Sequence, residues 1–231
     1  MIIEQLRSAG EFAVDLVYPK RCAGCGRRGA WLCPDCDQDL KRFEAPLCAR
    51  CGVPDCFLNC QCGALAEAIG QVRSVRPFAG WLRGSVVLFK YHGEWGRAHH
   101  LAVPLVTAMS ELLPADSLVP VPLHPTRQRQ RGFNQAFVLA EAVARITGLE
   151  IIEPLIRSRK TISQVSLGAD DRTRNVENAF ALKPNVDVAG KSLILVDDVI
   201  TTGATLAACA SLLHQGGAQS PKVATIAREM G

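Results

Sequence analysis

Apolar and polar positions fall into three regimes along the chain. Over residues 1–20, Ile2, Ile3, Leu6, Phe12, Ala13, Leu16 and Val17 recur at loose helical spacing, and the stripe ends at Pro19. Residues 22–62 carry almost no period. From Gln71 onward short apolar runs alternate with helical stripes. The runs predict strands at Val72–Phe78, Ser117–Pro122, Leu149–Ile156, Ser192–Val196 and Val223–Arg228. The stripes predict helices over 80–90, 97–112, Phe133–Thr147 and Thr202–Gln215, the first two separated by Tyr91-His92-Gly93. In Phe133–Thr147 the residues Ala136, Leu139, Ala140, Val143 and Ile146 share one face, and Gly148 stops the helix. Residues 157–180 are polar, with two basic stretches, and read as a long mobile loop. Strands alternating with helices predict an α/β domain: a mostly parallel sheet with helices on both faces.

Composition adds a boundary. With 231 residues, 48% apolar and 21% charged, the chain can bury a large core and is not globally disordered. At roughly 150 residues per domain it holds one domain and a half. The division expected is residues 1–66 as an N-terminal helix with a small metal module, then 67–231 as the α/β domain. A net charge of +4 suits a phosphorylated ligand and permits nucleic acid. No apolar run reaches the roughly 18 residues of a membrane span. Met1–Pro19 contains Glu4, Glu11 and Asp15 and does not read as an export signal, so the expected location is cytoplasmic.

Nine of the ten cysteines lie between Cys22 and Cys62, with Cys209 apart. In a reducing compartment such a cluster points to metal ligation. A Cys-x2-Cys turn sets two sulfurs about 4 Å apart, one edge of a tetrahedron around Zn²⁺, and two turns close it. Cys22, Cys25, Cys33 and Cys36 form one such set. Cys48 and Cys51 begin a second, completed by Cys60 and Cys62, with Cys56 as the alternative. A redox role for one Cys-x2-Cys pair is the competing reading. A zinc with no histidine in its segment reads as structural rather than catalytic.

The chemistry concentrates in Leu193-Ile-Leu-Val-Asp-Asp-Val-Ile-Thr-Thr-Gly-Ala-Thr-Leu206. A buried strand runs into two carboxylates, a hydroxyl- and glycine-rich loop follows, and a helix begins. Ligands of open α/β sheets sit beyond the carboxyl ends of the strands. Such a loop wraps a phosphate with N–H groups and threonine hydroxyls at a helix N-terminus. Two acids beside a phosphate loop make sense if the ligand also brings hydroxyls or a cation. A ribose 5-phosphate brings both a phosphate and a diol.

This segment closely resembles the phosphoribosyl pyrophosphate (PRPP) motif of type I phosphoribosyltransferases. The resemblance implies that Asp197 and Asp198 contact the ribose hydroxyls, that Thr201, Thr202, Gly203, Ala204 and Thr205 cradle the 5-phosphate, and that Val196 also belongs to the PRPP-binding set. Val119-Pro-Val-Pro-Leu-His-Pro125 and Arg131-Gly-Phe-Asn134 extend the likeness to the ComF family, with its GntX-like members. There Pro122, Leu123 and His124 correspond to the pyrophosphate loop, and Arg131 draws on the leaving group. Lys160, Gln164 and Arg172 correspond to the flexible hood that closes over PRPP. The zinc ribbons complete the pattern, although the crowded Cys56, Cys60 and Cys62 depart from the simple Cys-x2-Cys more usual in the family.

The resemblance therefore implies a type I phosphoribosyltransferase fold behind a double zinc ribbon. It also implies Mg²⁺ carried with PRPP and pentosyl transfer to an unidentified acceptor. Between Val121 and Arg174 nine Lys/Arg face five Asp/Glu, a surplus of four. That surplus matches a ligand bearing about five negative charges. His92, His99 and His100 carry weak signals, and Asn134 reads equally well as a helix cap. The family name brings a different class of function, in DNA uptake: single-stranded DNA, a competence helicase or other competence proteins as partners. Arg127, Arg129 and Arg131 would contact DNA by charge, and Trp31, Trp81 or Trp95 by stacking. A degenerate, PRPP-sensing transferase is a third reading. Related transferases often form homodimers.

Overall fold

The computed structural model describes residues 19–39, 43, 46–54, 68–91, 96–157 and 179–230. Of the helical stripe expected over residues 1–20, residues 1–18 lie outside them. So do Trp95, His92, Cys56, Cys60, Cys62 and the hood residues Lys160, Gln164 and Arg172.

The α/β domain is built on one parallel sheet. Its strands are β1 (Gln71–Pro77), β2 (Ser117–Pro120), β3 (Glu150–Ile151), β6 (Leu193–Ile200) and β7 (Lys222–Arg228), in the spatial order β1-β7-β6-β2-β3. Strand β6 is central because its first four residues, Leu193 to Val196, are wholly buried on both faces. After α1 (Pro34–Gln38) in the cysteine segment, helices α2 (Gly80–Tyr91), α3 (Gly96–Ala108) and α5 (Gln135–Thr147) bring Phe89, Leu105 and Leu139 onto the face that Ile194 and Val196 present. Helix α6 (Ala204–Gln215) covers the other face, where Leu206, Cys209 and Leu213 meet Leu193 and Leu195. The layered sheet expected from the alternation is the one found.

Three details differ from the pattern. The single strand expected over Leu149–Ile156 is two. Its first half is β3, in the main sheet. Pro154 cannot donate to a ladder, and beyond it β4 (Leu155–Arg157) turns away to pair antiparallel with β5 (Phe180–Leu182), an apolar strand only three residues long. A short helix, α4 (Pro125–Arg131), follows the proline-bounded segment, where the pattern predicts no element. His124 caps it through Nδ1 to the N–H of Thr126 at 3.1 Å, Pro125 opens it, and Gly132 closes it at φ 81°. Finally, α6 starts at Ala204 rather than Thr202. Gly203 is left-handed at φ 79°, which leaves Thr201 and Thr202 in the loop.

The cysteine segment closes the exposed edge of the sheet. Strand β1 is an edge strand, and its Val72 N–H donates to the carbonyl of Arg50 at 2.6 Å. Arg73 donates to Ala49 O, and Arg228 at the end of β7 donates to Cys51 O at 2.7 Å. Around the first knuckle, Trp81 Nε1 donates to Cys36 O at 2.7 Å and Arg76 pairs with Asp37 at 2.6 Å. Arg97 is only 1% exposed, donates to Trp31 O and Arg21 O, and stacks on the Trp31 ring at 4.6 Å. Carbonyls flanking the metal-binding thiols are thus satisfied by side chains of the α/β domain.

Candidate functional site

The two knuckles have the same backbone design, offset by 26 residues. Cys22 N–H donates to Arg27 O and Gly26 N–H to Cys22 O. Cys48 N–H donates to Val53 O and Gly52 N–H to Cys48 O. Gly26 and Gly52 take φ 74° and 70°, the left-handed turn each knuckle requires. In the first set the sulfurs of Cys22, Cys25, Cys33 and Cys36 all lie within 4.8 Å of one another, with Cys22–Cys33 and Cys25–Cys33 both at 3.7 Å. Four sulfurs about 2.3 Å from a central ion stand roughly 3.8 Å apart, so the set fits tetrahedral Zn²⁺.

The chemistry of these donors agrees. Burial opposes ionisation of Cys22, yet N–H groups of Cys25, Cys33 and Gly24 aimed at its sulfur bring the thiol down to about 6. Cys36 is pushed up to about 12, first by its hydrogen bond with Cys33. A cation is what allows all four to be thiolates together. Of the second set, Cys48 and Cys51 stand in the knuckle just described, and the expected partners Cys60 and Cys62, with Cys56, lie outside the described residues.

The acid pair sits inside β6 rather than after it. Successive side chains of a strand point to opposite faces. Asp198, 6% exposed, meets Lys90 of α2, with Nζ 2.9 Å from Oδ2. Asp197 turns to the α6 face, towards Arg157 and Cys209, and its Oδ1 accepts the N–H of Asp198 at 2.8 Å. Burial, then the charge of Asp198, pushes the Asp197 carboxyl up to about 7. On the same face, burial pushes the Cys209 thiol far above its ordinary range.

The loop follows directly. Thr201 and Thr202 are exposed, Gly203 is buried, and Ala204 and Thr205 open α6. Thr202 Oγ1 accepts the N–H of Ala204 at 3.4 Å. The next strand brings the second predicted segment alongside. Val121 N–H donates to Val196 O at 3.0 Å, so Pro122, Leu123 and His124 leave β2 beside the acid pair. Asn134 is a cap, accepting the N–H of Ala136, and its Nδ2 also donates to Val121 O at 3.0 Å, tying α5 to that segment. Arg131 ends α4 and donates to Gln135 Oε1 at 3.0 Å. His99 is exposed. Burial lowers the pKa of His100, which lines a separate cleft of about 440 Å³ between the first knuckle and α3 and not the acid pair.

Two cations escaped the sequence reading. Lys90 was visible only as the neighbour of Tyr91, and nothing in spacing links it to a carboxylate more than a hundred residues on. Arg157 is half-buried at the end of β4, over the Phe180 ring at 5.0 Å, and burial lowers its pKa first, then the charge of Arg127. The signal that could have found it is a lone arginine closing an apolar strand just before the basic loop.

A crossover sheet with an acid pair and threonine loop on its central strand, behind paired cysteine knuckles, defines a class: a type I phosphoribosyltransferase fold preceded by a double zinc ribbon. Residues 134–231 match the phosphoribosyl transferase domain family and residues 13–69 the double zinc ribbon domain family. Longer likenesses narrow this. DNA utilization protein YhgH of Escherichia coli strain K12 is 30% identical over 213 residues, 87% of this chain and 92% of that one. Competence protein F of Haemophilus influenzae is 29% identical over 208 residues, 85% and 90% of the two chains. Competence protein ComFC of Bacillus subtilis is 30% identical over 210 residues, 85% and 84%. The chain belongs to the ComF family that these proteins represent.

Proposed function

We propose that this protein binds PRPP through Asp197, Asp198 and the Thr201–Thr205 loop, and transfers its phosphoribosyl group to an acceptor with release of pyrophosphate. The observation that carries the reading is the acid pair on the central strand, running directly into a left-handed glycine and a helix N-terminus. In the transfer, the acceptor atom bonds to the anomeric carbon, the bond from that carbon to the pyrophosphate oxygen breaks, and pyrophosphate leaves with the electron pair. The protein's part is placement and charge. The acids hold the ribose diol and the loop amides hold the 5-phosphate. Pro122, Leu123 and His124 present backbone to the pyrophosphate, with Arg131 and the hood residues Lys160, Gln164 and Arg172 closing on it. Mg²⁺ arriving with PRPP would offset charge on the leaving group. The units doing this are residues 1–66 as a structural zinc module, at two sites, and 67–231 as the transferase domain, working in the cytoplasm. No helix among the described residues is long and apolar enough to cross a membrane.

The relatives' names connect the family with competence and DNA utilization. Exposed Arg127 and Arg129 on α4 favour a second reading, in which the same protein handles single-stranded DNA beside a competence helicase, as a homodimer or otherwise. Pyrophosphate release from Mg²⁺-PRPP, across a panel of bases and amines, separates the two. Release lost in Asp197→Asn supports transfer. No release together with steeply salt-dependent oligonucleotide binding supports the second reading.

A further inference from the structure

Two carboxylates on one strand are a poor seat for a ligand that is itself a polyanion. Some positive charge has to stand against them, and it has to stay in place. Lys90 meets both conditions. Its Nζ lies 2.9 Å from Asp198 Oδ2, with the two side chains 23% and 9% exposed. The helix that carries it is fixed along its length. Trp81, at the first turn of α2, donates to Cys36 O of the first cysteine set, and Leu82, Val86 and Phe89 are buried in the core. Lys90 follows Phe89 immediately, so its backbone has little room to move.

We infer that Lys90 is a positioning residue for the acid pair, neutralising Asp198 and fixing its carboxylate so that the site receives an uncharged sugar diol. The inference rests on the phosphoribosyl reading above and deepens it. The ligand class is a vicinal diol joined to a phosphate. With Oδ2 held by the ammonium, the remaining acceptors are Asp198 Oδ1 and the Asp197 carboxyl. These suit two hydroxyl donors. Removing Lys90 would leave Asp198 as a buried, uncompensated charge, the arrangement proteins tolerate least. The charged and titratable groups whose fields reach Asp197 are Asp198 on its own strand, Lys90 of α2 on the opposite face, Arg157 from β4 and the Cys209 thiol from α6. Of these, only Lys90 makes a direct ion pair with Asp198 among the described residues.

The test compares wild type, Lys90→Met, Lys90→Arg and the double variant Lys90→Met/Asp198→Asn, each as the zinc-loaded full chain. Calorimetry gives affinities for Mg²⁺-PRPP, for ribose 5-phosphate and for Mg²⁺-pyrophosphate, which lacks the diol. Carbon-13 spectra of the aspartate carboxyls give the titration of the acid pair without ligand. The expected result for Lys90→Met is at least a tenfold loss for PRPP and ribose 5-phosphate alike, less than a twofold change for pyrophosphate, and an upward shift of the carboxyl titration. Lys90→Arg restores most of both. The double variant loses no more than Lys90→Met, and it keeps the comparison open should the single variant fold poorly. If wild type and Lys90→Met bind PRPP equally, the inference is overturned while the phosphoribosyl reading stands. If wild type binds no PRPP, that reading fails. The carboxyl titration then decides for Lys90, an unshifted curve overturning the inference and a shifted one upholding its charge role.

Discussion

Arg97→Met removes one of the contacts that hold the first zinc knuckle against the α/β domain. Methionine keeps most of the buried stem and removes the guanidinium. The loss is two charge-assisted hydrogen bonds, to Trp31 O at 3.2 Å and Arg21 O at 3.0 Å, and the stack on Trp31 at 4.6 Å. Hydrogen bonds from a charged donor contribute about 1.5–3 kcal/mol each, and a desolvated cation–π contact about 2 kcal/mol. Against that, the variant no longer buries a charge, which returns several kcal/mol. The balance is a destabilisation of about 2–4 kcal/mol, because the two carbonyls left behind are polar but uncharged. For a chain of this size that corresponds to roughly 5–15 °C in Tm. Denaturant unfolding followed by circular dichroism reads the stability, and a chromogenic chelator reads zinc release. Zinc should leave several-fold faster from the variant. Unchanged release with a stability loss below about 0.5 kcal/mol would refute the reasoning, since surface substitutions alone produce that much.

Three further expectations follow from the same geometry. Asp197 holds its proton to about pH 7, far above an unfolded aspartate, so its ionisation lowers stability as pH rises from about 4 to about 7. It should also raise PRPP affinity between pH 6 and 8, as the carboxylate becomes a better acceptor for the diol; a titration series should show this slope vanish in Asp197→Asn, and identical slopes in both proteins would contradict it. Gly52→Ala places a Cβ 2.8 Å from Val72 O at φ 70°, so the second knuckle must lift from β1. A loss of about 2–3 kcal/mol, with faster amide exchange at Val72, is expected. Gly203→Ala forces a left-handed alanine at φ 79° into the threonine loop. It should cost about 1–2 kcal/mol in denaturant unfolding and weaken ribose 5-phosphate more than it weakens pyrophosphate.

Much of this was legible because the relevant signals are local. Leu193–Val196 is apolar on both faces, which only a central parallel strand requires, and the Cys-x2-Cys spacings carry their own geometry. The same locality explains what was missed. Strand β5 is three residues long and pairs with β4 across a long connection, so no window contains both partners. Helix α4 was hidden because its three arginines read as ligand contacts before they read as a helix face. Its start and stop signals, Pro125 and Gly132, were nonetheless in view. Lys90 meets Asp198 only through the packing of α2 on the sheet. Opposite faces of one strand also separate two acids that look like a single unit in the sequence.

The most direct test of the central claim is calorimetric titration of the zinc-loaded protein with PRPP and Mg²⁺, beside Asp197→Ala/Asp198→Ala. The account predicts micromolar binding to the wild type and none to the variant, with the variant's near-ultraviolet dichroism unchanged. Absence of binding to the wild type, or equal binding by a folded variant, would contradict it.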